Sequence, residues 1–171
     1  GEYNGQEYSI TGLYLNKQNG LFGTTKTATI KNLTLINVET EGKISEVAAF
    51  VGRLQGESSV INCHVKNGKI GSRGMGSSGH RKNVGAIVGW VTNNSNSIVE
   101  NCTVDENTTV NGQESVGGIV GKVGGASFTI KKSSSAAIVS GDKYVGGIAG
   151  SLFSSEITEC FFTGTVKTMS N

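Results

Sequence analysis

Val116-Gly117-Gly118-Ile119-Val120-Gly121 decides the fold, because the chain repeats it. It recurs as Val47-Ala48-Ala49-Phe50-Val51-Gly52, Val84-Gly85-Ala86-Ile87-Val88-Gly89 and Val145-Gly146-Gly147-Ile148-Ala149-Gly150, with a degenerate first copy at Asn19-Gly20-Leu21-Phe22-Gly23. Successive closing glycines lie 29, 37, 32 and 29 residues apart. Two residues beyond the later four glycines stand Leu54, Val91, Val123 and Leu152.

A second phrase follows each copy. It reads Ile30-Lys31-Asn32-Leu33-Thr34-Leu35, Val60-Ile61-Asn62-Cys63-His64-Val65, Val99-Glu100-Asn101-Cys102-Thr103-Val104, Ile130-Lys131-Lys132-Ser133-Ser134-Ser135 and Ile157-Thr158-Glu159-Cys160-Phe161-Phe162. Its end alternates apolar and polar residues, the signature of a half-buried strand. Neither phrase has helical spacing, and both are bounded by Gly, Asn and Ser. The chain is therefore expected to be all-β.

A repeat of about 30 residues is short for a propeller blade and suits one turn of a solenoid. Equivalent positions keep their chemistry, glycine with glycine and cysteine with cysteine, as in-register stacking at about 4.8 Å per coil requires. The expected fold is a right-handed parallel β-helix, the hand following from the general preference of parallel crossovers. Five coils are drawn near residues 14–46, 47–83, 84–115, 116–144 and 145–171 of a single domain spanning 1–171. Each connection between the second phrase and the next Val-Gly-Gly reads as a loop, and loop lengths vary most there.

Within the coil, Ile30 and Leu33 should both face inward although an odd number of residues separates them. The chain must bend between them, at the column Asn32, Asn62, Asn101, Lys132 and Glu159, where asparagine can bond its own backbone and the Asn above.

The chain has 171 residues, 26 of them glycine, and no proline. Its net charge of +2 is too small to argue for nucleic acid. No apolar run approaches the ~18 residues of a membrane span. No signal peptide is visible at Gly1, and the abrupt start and end lead us to expect a fragment of a longer chain.

The phrases resemble the GLUG motif, a repeat of bacterial surface proteins including immunoglobulin A peptidases. The opening Tyr3-Asn4-Gly5-Gln6-Glu7-Tyr8-Ser9-Ile10-Thr11-Gly12-Leu13 resembles the start common ahead of such repeats, with Asn4 and Glu7 departing from it. The resemblance implies an extracellular, β-helical, adhesin-like or spacer module. It carries over no catalytic residue, and the zinc-binding His-Glu-x-x-His of the peptidases is absent.

Candidate sites follow from the repeat. Arg53, Trp90 and Lys122 share one position and should stack outward on adjacent coils, which suits cation–π packing or a sugar platform. The stretch from Lys66 to Asn83 carries Lys66, Lys69, Arg73, Arg81 and Lys82 with no acid, and reads as a mobile basic insertion that could meet an anionic glycan or partner. Cys63, Cys102 and Cys160 share a core position and read as free, buried thiols. Their spacing fits no zinc site, and no cofactor is expected. Gly117 to Lys122 fails as a phosphate loop on spacing. Asp105, Glu106 and Glu114, with Asp142 from the next coil, form the nearest approach to an acidic cluster and read as solvated. His64 and His80 have no visible nucleophile partner. The expected function is a non-catalytic structural or adhesin-like surface module. A carbohydrate-binding module is the alternative, and a polysaccharide lyase or hydrolase a more remote one.

Overall fold

The computed structural model describes residues 1–41, 45–72, 81–92, 96–125 and 127–168. The regular elements among them are all strands, paired throughout in parallel, and they stack into a β-solenoid of about five turns.

Four sheets make its walls. The first contains the second phrase: Glu2–Thr11, Thr29–Ile36 and Ser59–Lys66, then the split strands Ile98–Glu100 with Thr103–Val104, Phe128–Lys131 with Ser134–Ser135, and Ser155–Thr158 with Phe161–Phe162. The second contains Tyr14–Leu15, Glu39–Glu41, Lys69–Ser72, Thr109–Asn111, Ile138–Gly141 and Thr165–Thr168. The third, of Lys82–Gly85, Glu114–Gly117 and Lys143–Gly146, and the fourth, of Phe22–Lys26, Val51–Gln55, Val88–Val91, Val120–Val123 and Ala149–Ser151, contain the glycine phrase.

Register places like on like. Ile30 pairs with Val60, Val60 with Val99, Val99 with Ile130 and Ile130 with Ile157. The closing glycines Gly23, Gly52, Gly89, Gly121 and Gly150 fall in one column of the fourth sheet. A methyl added at Gly121 would lie 2.5 Å from the Asn83 backbone, and one at Gly150 2.4 Å from the Val116 nitrogen. The third sheet thus packs its backbone directly against the fourth, and only glycine leaves room.

The bend in the second phrase is real. Asn32, Asn62, Asn101, Lys132 and Glu159 all have φ between 50° and 57°, the left-handed region that asparagine tolerates best among residues with a side chain. Reversing the backbone there lets Val60 and Cys63 both point inward, each 0% exposed. The asparagines also bond along the axis. Asn32 donates to Asn4 (3.0 Å), Asn62 to Asn32 (2.9 Å) and Asn101 to Asn62 (3.1 Å).

Two expectations need correction. The connections between the second phrase and Val-Gly-Gly are not simple loops, since each holds a strand of the second sheet. Lys69–Ser72 is one of them, and Ile70 is fully buried in the core. The supposed basic insertion therefore begins and ends in ordered sheet, and only residues 73–80 of it lie outside the described residues. The opening stretch, moreover, is itself a rung. Glu2–Thr11 pairs in parallel with Thr29–Ile36, its register shifting between Asn4 and Tyr8, so it is a further copy of the second phrase hidden by a bulge.

Candidate functional site

The clearest convergence of chemistry lies at the seam between the third and fourth sheets. Trp90 sits in register between Arg53 and Lys122, as expected from the repeat. The Arg53 guanidinium lies 4.8 Å from the centre of the Trp90 ring, a cation–π contact. It is held there by Glu46, whose two oxygens accept from Nε at 2.8 Å and Nη2 at 2.7 Å. This bidentate pair raises the Arg53 pKa further, first of all through the hydrogen bonds that Arg53 donates to Glu46. Trp90 Nε1 is shielded from solvent with no acceptor.

On the third sheet, Glu114 lies between Lys82 and Lys143 in register. Lys82 Nζ is 2.9 Å from its carboxylate. That hydrogen bond, backed by the charges of Lys82, Lys122 and Lys143, holds Glu114 below the usual carboxylate range. The effect of Lys122 joins the two rows into one surface.

Of the five basic residues expected to act together, the four that are described stand at different places in the coil. Lys66 ends a strand of the first sheet, Lys69 stands on the second opposite Glu39, and Lys82 is on the third, paired with Glu114. Arg81 donates to the Gly71 carbonyl at 3.2 Å. Arg73 and His80 lie outside the described residues. Lys143 and Glu46 went unnoticed in the sequence, because their places depend on the register of strands joined by connections of unequal length.

Other candidates are absorbed by the framework. Asp105 accepts from the Asn67 amide at 3.0 and 3.1 Å and from the Thr108 hydroxyl at 2.6 Å, so it closes a corner. A polar recess of about 290 Å³ opens beside that corner, lined by Asn37, Val38, Glu39, Asn67 and Lys69. His64, half-buried on the first sheet, contacts Thr103 through Nδ1 (2.7 Å) and Asn62 through Nε2 (3.1 Å). Asn62 uses its amide nitrogen elsewhere, so its oxygen accepts from Nε2–H and the Thr103 hydroxyl donates to Nδ1. Burial lowers the His64 pKa and so favours this neutral ring. All three cysteines are free. Burial pushes the Cys63 thiol up to about 12 and Cys102 higher still. Cys160, in the last coil, is only partly buried. Among the described residues no group of three or more His, Cys, Asp and Glu is placed to hold a metal ion.

The family model of the GLUG motif matches residues 80–111 and 141–167. The chain carries GLUG repeats. Each matched stretch starts at the third sheet and passes through the fourth and first to the second, so one GLUG unit is one full coil. The chain is also similar to an immunoglobulin A1 protease of Streptococcus sanguinis, 29% identical over 160 residues. That match takes in 88% of this chain but only 8% of the relative. No solved structure matches.

Proposed function

We propose that the chain is a non-catalytic, extracellular, adhesin-like structural module of a bacterial surface protein. The observation that carries this reading is the use of its polar side chains. The residues that could have done chemistry, His64, Asp105 and the cysteines, bond between or within coils and lie in the ladders or the core. The GLUG match and the small share of a large relative support a modular role. That relative is named for acting on immunoglobulin A1, a protein found outside cells, which fits an extracellular setting.

Two measurements test the reading. Immunoglobulin A1 and a panel of polysaccharides, each incubated with the purified chain, should remain intact; turnover that disappears in His64→Ala would overturn the non-catalytic assignment. Cells displaying the chain on an inert carrier should adhere to a host-cell layer better than cells with the carrier alone. Equal adhesion would remove the adhesin-like part and leave a spacer.

A second reading, a carbohydrate-binding module, is favoured by one feature, the part-exposed Trp90 set among cations on an outer face.

A further inference from the structure

The seam holds more positive charge than its own acids use. Four cations, Arg53, Lys82, Lys122 and Lys143, surround two carboxylates, Glu46 and Glu114. Arg53 occupies both oxygens of Glu46, and Lys82 bonds Glu114. Lys122 and Lys143 act on Glu114 only through space and make no ion pair of their own among the described residues. They stand on neighbouring rungs: Lys122 is in register with Trp90, and Lys143 pairs with Glu114 on the adjoining sheet, one rung further on.

We infer that this seam binds an acidic oligosaccharide, one with carboxylates on its sugar rings, laid along the solenoid axis. The inference deepens the carbohydrate-binding reading and rests on it. Three physical features select the ligand. An aromatic ring fixed by its neighbours offers a flat apolar surface at little entropic cost, as a sugar ring requires. Within each row the cations stand two rungs apart and the two rows alternate, so the charges advance by about 4.8 Å per rung along the axis, close to the advance of one sugar along an extended glycan. A carboxylate reaching Lys122 and Lys143 would meet donors that no protein acid holds. A nucleic acid fits less well, because the chain offers one tryptophan and a net charge of only +2.

Trp90 is the only tryptophan, so its fluorescence reports on the seam directly. The probes are an oligogalacturonate, a cello-oligosaccharide of equal length and inorganic polyphosphate. The oligogalacturonate should shift or quench the emission, and added salt should weaken the titration. Lys122→Ala combined with Lys143→Ala should weaken it by about five- to tenfold with an unchanged circular-dichroism spectrum, as two partly exposed charges would. Silence with oligogalacturonate, or a double variant that binds like the parent, overturns the inference. So does an equal response to polyphosphate, which would mean charge alone is sensed. A response to the cello-oligosaccharide alone would sink the acidic ligand and leave the carbohydrate reading standing.

Discussion

The middle coils and the last coil carry similar side chains at equivalent positions, yet meet different surroundings. Ile130 is 0% exposed and Ile157, one rung on, is 39% exposed. Val139 is 0% exposed and Val166 is 42% exposed. The exposed large apolar residues among those described all fall at the two ends: Tyr3, Tyr8 and Tyr14 in the first coil, and Tyr144, Leu152, Phe153, Ile157, Phe161 and Val166 in the last. A coil therefore has no core of its own. Its inner residues become buried only when a neighbour stacks on each side, which is the nearest-neighbour energetics of repeat proteins. The ends also differ from one another. The first coil shows tyrosines, whose hydroxyls suit water, and its outer strand is bulged at Gln6 and Glu7, both at positive φ. Bulges and charge discourage edge pairing. The last coil shows phenylalanine and aliphatic residues instead.

The largest test of this contrast sets Phe128→Ala against Phe161→Ala. Phe128 is 1% exposed and Phe161 is 62% exposed. Loss of the first should cost about 3–5 kcal/mol, and loss of the second should stay within about 0.5 kcal/mol. Denaturant midpoints measure both. Equal losses would show that the last coil is covered in solution and that the contrast is wrong.

The next test concerns the asparagine ladder. Asn62→Ala removes donors to Asn32 and Glu7, an acceptor for Asn101 and His64, and a residue suited to φ 52°. The combined cost should be about 2–3 kcal/mol. Glu159→Ala, in the same column of the last coil, should cost close to nothing, and a similar loss at both positions would detach the cost from the ladder.

Much of this was legible in sequence, for a physical reason. Stacking makes each column repeat its requirement, so Gly52, Gly89, Gly121 and Gly150 announce one steric constraint four times. The bend at Asn32, Asn62 and Asn101 was likewise readable, because two inward residues at odd spacing demand it. The second sheet was not, since its strands are as short as Thr109–Asn111 and its inward column mixes Leu15, Thr40, Ile70, Val110, Val139 and Val166. The bulge in Glu2–Thr11 broke the phrase and hid a copy. At the seam, Arg53, Trp90 and Lys122 were legible as one column. Glu46, Glu114 and Lys143 were not, since what joins them is packing between sheets.

The thiols extend the contrast to pH. Burial holds Cys63 near 12 and Cys102 higher, whereas an unfolded thiol ionises near about 8.5. A raised folded pKa means stability that is complete below the unfolded value and is lost as pH rises toward the folded one. Stability should therefore decline above about pH 8.5, and Cys63→Ser should flatten that decline. Under native conditions a thiol reagent should reach the partly buried Cys160 well before Cys63 or Cys102. Simultaneous reaction of all three would mean that the interior coils open as readily as the last.

The smallest expected effect is a gain. The ladder stops at Asn101, because the next positions in its column are Lys132 and Glu159. Lys132 has φ 50°, a conformation that suits asparagine better than lysine. In Lys132→Asn the new amide would lie one rung beyond Asn101, positioned to donate to its side-chain oxygen as Asn101 donates to Asn62. The Lys131–Glu100 ion pair at 3.2 Å would be untouched. The substitution removes a cation from an exposed corner, where single charges matter little. One added hydrogen bond and a relieved backbone should raise stability by about 0.5–1 kcal/mol, read as a higher denaturant midpoint at unchanged slope. A neutral or destabilising result would show that side-chain bonding along the column adds nothing once the coils are stacked. The cost of Asn62→Ala would then belong to the backbone conformation alone.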